Sequence, residues 1–240
     1  MSELRPATRA ELSGLPVEVA PRLLGGILTT VVGGETVAVR LTEVEAYHGA
    51  GTGPTPDPGS HARMGRTARN ATMWGEPGHL YVYLSHGIHS CVNVVCGPEG
   101  VAGGVLLRAG EVIEGQDAAT RRRLERRGVV RSDRDLARGP GRFGDAVGLR
   151  HPIHDGIDAI TSIAHAGAVA RLALRTEQFD VAEFSGAPPQ TPGLLTRAGP
   201  RVGVAGIAGT DAFPWRFWID GDPTVSAFRW GRGAGPSPMS

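Results

Sequence analysis

The sequence contains no lysine, although it has 25 basic residues, all of them arginine. This absence excludes the lysine of a nucleotide-binding P-loop, the lysine aldimine of pyridoxal phosphate and any Schiff base on a side chain. Only the terminal amine is left as a group that forms an imine. The chemistry of any catalytic site must therefore come from other residue types.

Cysteine and long apolar runs are scarce as well. Cys91 and Cys96 are the two cysteines, so a disulfide framework is not expected and a reducing compartment is favoured. The N-terminus has no basic region followed by an apolar segment, and no apolar run approaches the thickness of a bilayer. We therefore expect a cytoplasmic protein with no membrane partner.

The pattern of the 240 residues favours strands over helices. Strands are predicted around 26–32 and 36–46, in HLYVYL, IHSCVNVV and GVLLRA, and at 169–175, 201–205 and 215–219. Helices are predicted at the start of 16–29, over 116–127 before Gly128, near 133–138 and in GPGRFGDAVGL. Short turns and the lack of regular βαβ alternation indicate one α+β domain with a mostly antiparallel sheet.

Arginine is concentrated in one segment, although the formal net charge is only +1. Nine arginines lie between Arg121 and Arg142, against three acidic residues. Such a stripe indicates either a surface that contacts phosphates or a solvated helix face.

The stretch TEVEAYHG, residues 42–49, places charge where a core is expected. Apolar residues alternate over 37–41, and the same period of two puts Glu43, Glu45 and Tyr47 on the apolar face. A buried carboxylate is costly unless something uses it. Either the strand leaves the core or a β-bulge flips its register, or the carboxylates serve a site on an unbroken strand.

Neighbouring elements carry side chains suited to holding and hydrolysing a flat heteroaromatic substrate. Each is weak evidence alone, because a lone glutamate or histidine is usually structural. Together they supply a base, two aromatic surfaces, a ring donor, an amide and a cation: Glu45, Tyr47, Tyr83, His61, Asn93 and Arg108.

Seven motifs carry a resemblance to a known family: TEVEAY, SHARMGRTARN, PGHLYVY, CVNVV, GVLLRA, GPGRF and RVGV, in this order. The chain resembles the alkyladenine (3-methyladenine) DNA glycosylases, which excise alkylated purines in base-excision repair. The resemblance covers residues 16–228 as a single domain, with an N-terminal extension over 1–15 and a disordered tail over 229–240. It implies a curved antiparallel sheet with a protruding β-hairpin that enters the DNA minor groove.

The resemblance also implies the roles of the site residues. Glu45 would activate water, and Arg108 would position that water and keep Glu45 ionised. The flipped base would stack between Tyr47 on one side and His61 with Tyr83 on the other. Asn93 would exclude guanine through its 2-amino group. These roles favour the unbroken strand for residues 42–49.

Other implied contacts concern the DNA itself. The hairpin residue that wedges into the gap is a tyrosine in the family and His86 here, with Ile88 and His89 lining the minor groove. Arg66, Thr67 and Arg69 would contact phosphates. The loop before His61 is longer than the family's, and His48 is the alternative if that loop is displaced.

The resemblance implies double-stranded DNA with a damaged purine as partner, a monomer, no cofactor and no metal, and association with the nucleoid in a bacterium. The missing lysine fits hydrolysis without a lyase step. Two alternatives stay open: a zinc hydrolase using His86, His89 and Cys91 with Cys96, and a protein that flips bases without cutting. A formyl-transfer or tRNA-modifying relative has no motif support.

Overall fold

The computed structural model describes residues 3–49, 56–127, 129–176 and 195–236. These ranges contain eleven strands: β1 Leu4–Pro6, β2 Ile27–Val32, β3 Glu35–His48, β4 His79–Ser85, β5 His89–Val95, β6 Gly103–Glu114, β7 Ala137–Arg138, β8 Ile157–Asp158, β9 Ala168–Arg175, β10 Thr196–Gly199 and β11 Arg216–Ile219. They also contain four helices: α1 Arg9–Leu12, α2 Pro16–Leu23, α3 Gln116–Arg127 and α4 Pro140–Val147. Short 3-10 turns lie at Ala71–Trp74, Asp133–Asp135 and Gly206–Gly209.

All the strands belong to one curled antiparallel sheet. The order is β1-β9-β2-β3-β6-β5-β4-β8. β11 pairs with β3 and carries β10, while β7 pairs with β6. The predicted α+β class with a curved, mostly antiparallel sheet is confirmed, and β3 and β6 lie at its centre.

The helices form where local signals begin and end them. Pro16 fits the first turn of α2, and the Glu18 carboxylate accepts the Leu15 N–H at 3.0 Å, which satisfies a free helix donor. α4 likewise starts at Pro140, and it is followed by Gly148, whose φ of 75° suits a helix C-terminus. The buried faces of α2 and α4 pack on one side of the sheet and form the main core with it.

A second, smaller apolar cluster includes Tyr81 and Val95 from the sheet with Ala62 and Met73 from the segment before β4. Half-buried Tyr83 packs against this cluster. The described part of the irregular stretch predicted over 48–79 thus packs against the sheet.

The pairing of β3 with β6 has three register shifts, one between Ala38 and Val39 and two β-bulges beside the carboxylates. Thr42 is an extra residue on β3, between the pairs made by Leu41 and Glu43. Arg108 is an extra residue on β6, opposite the single step from Glu43 to Val44. The Thr42 hydroxyl is buried and hydrogen-bonds the hydroxyl of Thr224 at 2.8 Å.

The bulges change which side chains of β3 face the core. Core residues are odd-numbered over 37–41 and then become Val44 and Ala46. Glu43, Glu45 and Tyr47 consequently face the other side of the sheet. β3 is continuous over Glu35–His48, but the prediction that it has no bulge is wrong, because the extra residue moves the carboxylates off the core face.

Two further predictions are wrong in detail. The segment 201–205 is not a strand, and the strand before it is β10. The helix predicted near 133–138 is a 3-10 turn over Asp133–Asp135 followed by β7, while α3, α4, β9 and β11 form where they were predicted.

The two ends of the chain contact the domain. β1 pairs with β9, and Leu12 of α1 lies in the core. The carbonyls of Arg229 and Arg232 accept the N–H groups of Gly203 and Gly206 at 2.9 and 3.0 Å. The predicted tail beyond residue 236 lies outside the described residues. Within the ranges that are described, no helix is long and apolar enough to cross a membrane.

Candidate active site

Glu45 of β3 has no exposed surface. It lies at the centre of a polar cluster that also contains Glu43, Tyr47, Arg108 and Arg216. One carboxylate oxygen accepts the Val202 N–H at 2.6 Å. The other accepts the Tyr47 hydroxyl at 2.9 Å and an Arg108 N–H at 3.4 Å. An ionised carboxylate offers about four lone-pair sites, so three contacts leave one free.

Arg108 reaches Glu45 because it lies on the same face of β6 as Leu106, opposite the core residues Val105 and Leu107. Its Nε donates to Glu43 at 3.1 Å, and an Nη donates to the Ser226 hydroxyl at 3.2 Å. Burial lowers the pKa of Arg108, but attraction by Glu45 and Glu43 outweighs it and the pKa is raised overall. The guanidinium is a fixed cation between two carboxylates.

Glu43 is the second buried carboxylate of the cluster. It accepts Arg108, the Nε of Arg216 at 2.7 Å and the Ser226 N–H at 2.8 Å. Arg216 also donates to the Ser226 carbonyl at 3.1 Å. Glu43 therefore orients Arg108 and ties β3 to the segment that follows β11.

Tyr47 lies at the boundary between this cluster and an open cleft of about 1520 Å³. Tyr47, Arg108 and Val202, the three groups in contact with Glu45, all line the cleft. Burial, followed by the charge of Glu45, raises the pKa of Tyr47 well above its ordinary value. The hydroxyl therefore stays protonated and acts as the donor to Glu45.

Tyr83, His61 and Asn93 also line the cleft. The rings of His61 and Tyr83 meet edge to face, with centroids 4.5 Å apart at 90°. The Asn93 amide donates to the Tyr81 carbonyl at 3.1 Å, which fixes its orientation. Burial is the main cause that lowers the pKa of His61, with help from Arg69 and Arg63, so the neutral ring is favoured near pH 7. The predicted base, cation and pocket residues are thus gathered at one cleft.

The alternative residue His48 lies elsewhere. It has no exposed surface, and its ring packs on Trp215 with centroids 4.6 Å apart. Both ring nitrogens are buried and lack a hydrogen-bond partner among the described residues. His61, not His48, therefore reaches the cleft.

The hairpin of β4 and β5 carries the predicted wedge at its tip. The Ile88 N–H donates to the Ser85 carbonyl at 3.0 Å, and both central residues, His86 and Gly87, have positive φ. His86 and Ile88 are exposed, and His86 and His89 line the cleft. The turn thus presents His86 to the solvent at the edge of the cleft.

The loop that precedes β4 carries the predicted phosphate contacts. Arg66, Thr67 and Arg69 are exposed, but none of the three lines the cleft. Thr67 donates through its N–H and its hydroxyl to the buried Asn70, and Arg69 donates to the Leu84 carbonyl at 3.2 Å. The two arginines stay accessible, whereas the Thr67 hydroxyl has a partner within the loop.

The arginine stripe is divided between structure and surface. Arg122 and Arg123 are buried; Arg122 donates to the Ala146 carbonyl at 3.1 Å, and Arg123 to Asp145 at 3.1 Å. Burial lowers the pKa of both groups. The interpretation of the whole stripe as one open surface is therefore wrong.

Four later members of the stripe line the cleft together with the buried Arg123: Arg131, Arg134, Arg138 and Arg142. Asp135 forms ion pairs with two of them at 3.6 to 3.8 Å. This wall of the cleft is basic and partly neutralised.

Several residues of the cluster escaped the sequence analysis: Asp57, Asn70, Arg201, Arg216 and Ser226. Arg201 stands in the RVGV motif, for which the resemblance implied no role. Asn70 has its partners within nine residues, whereas the other four bond to residues far away in the sequence and no local pattern connects them. Among the described residues, no group of three histidine, cysteine or acidic side chains can hold a metal, so the zinc alternative has no ligand set there.

The geometry defines a hydrolytic class of site: a buried carboxylate beside a cation, under a cleft with aromatic walls. Comparison with known proteins agrees. The model of the methylpurine-DNA glycosylase family matches residues 11–223.

Three relatives cover nearly the whole chain, and each bears the name "Putative 3-methyladenine DNA glycosylase". The Streptomyces avermitilis protein is 46% identical over 93% of this chain and 92% of its own length. The Nocardia farcinica protein is 49% identical over 89% and 87%. The Cutibacterium acnes protein is 46% identical over 91% and 98%.

The chain belongs to the methylpurine-DNA glycosylase family. It is therefore a DNA glycosylase, a hydrolase that acts on DNA. The family resemblance seen in the seven motifs and the enzyme class that it implied are confirmed.

Proposed function

We propose that this protein is a monofunctional glycosylase of base-excision repair. It flips alkylated or deaminated purines out of double-stranded DNA, hydrolyses the N-glycosidic bond with water activated by Glu45, and leaves an intact abasic site. The lesions compatible with the cleft are 3-methyladenine, 7-methylguanine, hypoxanthine and ethenoadenine. The observation that carries the proposal is the Glu45 carboxylate, buried directly beneath three cleft-lining groups.

The reaction explains why a carboxylate is needed there. Breaking an N-glycosidic bond develops positive charge on the sugar, and a nearby anion stabilises that charge while accepting a proton from water. Glu45 does both when the sugar lies over Tyr47 and Arg108. The chain contains no lysine that would continue to a lyase step.

Water must reach a carboxylate that has no exposed surface. The longest of its contacts is the 3.4 Å one to Arg108, at the weak end of hydrogen-bond distances. A water that enters between Arg108 and Glu45 replaces this contact and takes the lone pair that Arg108 leaves on the carboxylate. Arg108 then holds the water against the base.

The walls of the cleft suit a damaged purine. Tyr47 and the pair of His61 with Tyr83 offer aromatic surfaces on either side of the bound base. Alkylation at N3 or N7 makes the purine cationic and a good leaving group, and electron-rich rings attract such a base. Asn93, whose amide is oriented by the Tyr81 carbonyl, excludes guanine through its 2-amino group.

The partner is a duplex that the protein binds as a monomer in the cytoplasm or at the nucleoid. His86 fills the gap left by the flipped nucleotide, with Ile88 and His89 in the minor groove. Arg66, Thr67 and Arg69, exposed on the loop before β4, contact phosphates, and the arginines of the cleft wall add to that attraction.

A base-release assay on duplexes that carry each lesion tests the proposal. Wild-type protein releases at least one lesion, and Glu45→Gln lowers release at least about a hundredfold, the usual contribution of a general base. Glu111→Gln, at an exposed carboxylate of β6, is the matched control and keeps full activity. Equal release by Glu45→Gln would refute the mechanism, and tight binding without release of any lesion would show a protein that only flips bases.

A further inference from the structure

Arg201 occupies one face of the Tyr47 ring. Its guanidinium carbon lies 4.5 Å from the ring centroid, and Trp215 is the next ring at 5.1 Å. Arg201 has no exposed surface. A flipped base can therefore stack only on the opposite face of Tyr47.

Asp57 holds Arg201 in this place. Its two oxygens accept the two Nη groups of Arg201 at 2.7 and 2.8 Å. Asp57 also accepts the N–H groups of His48 and Gly59 at 3.1 and 2.9 Å, so it joins β3 to the loop that carries His61. The charge behind Tyr47 is thus a rigid, neutral pair.

The position of this pair matters because only the Tyr47 ring lies between it and a bound base. A base in van der Waals contact with the free face of Tyr47, at roughly 3.5 Å, lies about 8 Å from the guanidinium carbon. At an effective dielectric constant of about 20, an uncompensated unit charge at that distance changes the relative affinity for a cation by roughly thirtyfold. Neutralisation by Asp57 removes this effect.

The rest of the buried cluster is balanced in the same way. Glu43 and Glu45 are accompanied by Arg108 and Arg216, so two carboxylates face two guanidiniums. A change at the Arg201–Asp57 pair is therefore a change in the net charge seen by a bound base.

We propose that the Arg201–Asp57 pair determines how the site divides its activity between cationic and neutral purines, by keeping the charge behind Tyr47 at zero. The proposal rests on the proposed function. Arg201 and Asp57 are positioning residues, since they act through Tyr47 and do not touch the base.

Three variants test the pair, with the ratio of single-turnover release of 7-methylguanine, a fixed cation, to that of hypoxanthine, a neutral base. Asp57→Asn leaves a net positive charge and lowers this ratio roughly thirtyfold. Arg201→Gln leaves a net negative charge and raises the ratio by about the same factor. The double variant restores neutrality and returns the ratio to within about threefold of wild type, a small change compared with a unit charge.

Arg197→Gln and Asp220→Asn are the matched controls, because they break an exposed ion pair of the same kind that lies outside the cleft lining. Both leave the ratio unchanged. If folded single variants lose activity on both lesions equally, with the ratio unaltered, the pair is only structural and the proposal is overturned. Failure of the proposed function is distinct, since wild-type protein would then release neither base.

The wild-type protein gives a test that does not depend on the folding of the variants. Binding is compared for duplexes with 2′-fluorinated sugars that resist hydrolysis, carrying 7-methylguanine or its neutral isostere with carbon in place of N7. With the charge behind Tyr47 at zero, the cationic base binds no more than about fivefold tighter, the contribution of an exposed cation–π contact. A preference above about thirtyfold, the effect of a full unit charge, would overturn the proposal.

Discussion

Replacement of Glu43 by glutamine isolates the role of the second buried carboxylate. Glu43 has no exposed surface and accepts three hydrogen bonds, from Arg108, Arg216 and the Ser226 N–H. Glutamine has nearly the same shape but only one acceptor oxygen. Its NH2 group faces the Ser226 N–H when the oxygen takes the position that accepts the two arginines, and faces both arginines when it is turned round. In either orientation the two buried guanidiniums lose a negative charge beside them.

The expected loss of stability follows from these contacts. Hydrogen bonds to charged groups contribute about 1.5–3 kcal/mol each, and breaking one side of a buried ion pair costs about 3–5 kcal/mol. We expect Glu43→Gln to lower the free energy of unfolding by about 3–5 kcal/mol. For a domain of this size each kcal/mol shifts the melting temperature by about 2–4 °C, so the midpoint falls by roughly 6–20 °C.

Thermal unfolding followed by circular dichroism measures this shift, and a release assay at 20 °C measures the effect on Arg108. Activity should fall as well, because Arg108 loses the group that orients its Nε. Glu111→Gln, which removes an exposed partner of Arg40, is the control and shifts the midpoint by no more than about 3 °C. A shift for Glu43→Gln as small as that of the control would refute this account of the cluster.

Three further predictions concern other parts of the molecule. Burial lowers the pKa of His48 below 6.5, so the folded state resists protonation and loses stability as the pH falls from 6.5 through that lower value. His48→Phe should therefore flatten the fall of melting temperature between pH 7.5 and 5. An unchanged slope would contradict this. His86→Tyr should speed excision, because tyrosine covers more area of the neighbouring bases; slower excision with unchanged DNA affinity would argue against the wedge. Arg66→Gln and Arg69→Gln should each reduce the slope of log affinity against log salt by about 0.9, whereas Arg197→Gln should not; equal slopes would place these arginines away from the phosphates.

Local signals in the sequence were sufficient for much of the fold. The arginine-rich pattern over 116–127 predicts the bounds of α3, and the Ser85–Gly87 turn predicts the hairpin of β4 and β5. These elements depend on residues close together in the chain, so a period and a turn residue are enough to identify them.

Features that depend on distant partners were not predictable in this way. Asp57 and Arg201 are 144 positions apart and meet only because β3 brings the two loops together. The sequence around Val202 alternates as a strand would. The Val202 N–H, however, donates to the side chain of Glu45 and not to a strand backbone. The extra residue Thr42 does leave a trace in the sequence, because apolar residues move from odd positions over 37–41 to Val44 and Ala46. The roles implied for Glu45 and Tyr47 nevertheless favoured a strand without a bulge.

The two bulges in β3 and β6 compensate each other. The partners Leu41 and Gly110 before them have the same register as Val44 and Leu107 after them, because each strand gains one residue. Each strand therefore changes which of its alternate residues face the core, while the pairs made by residues 44–48 keep the register of residues 39–41. The charged side chains reach the outer face of the sheet with no net offset between the two strands.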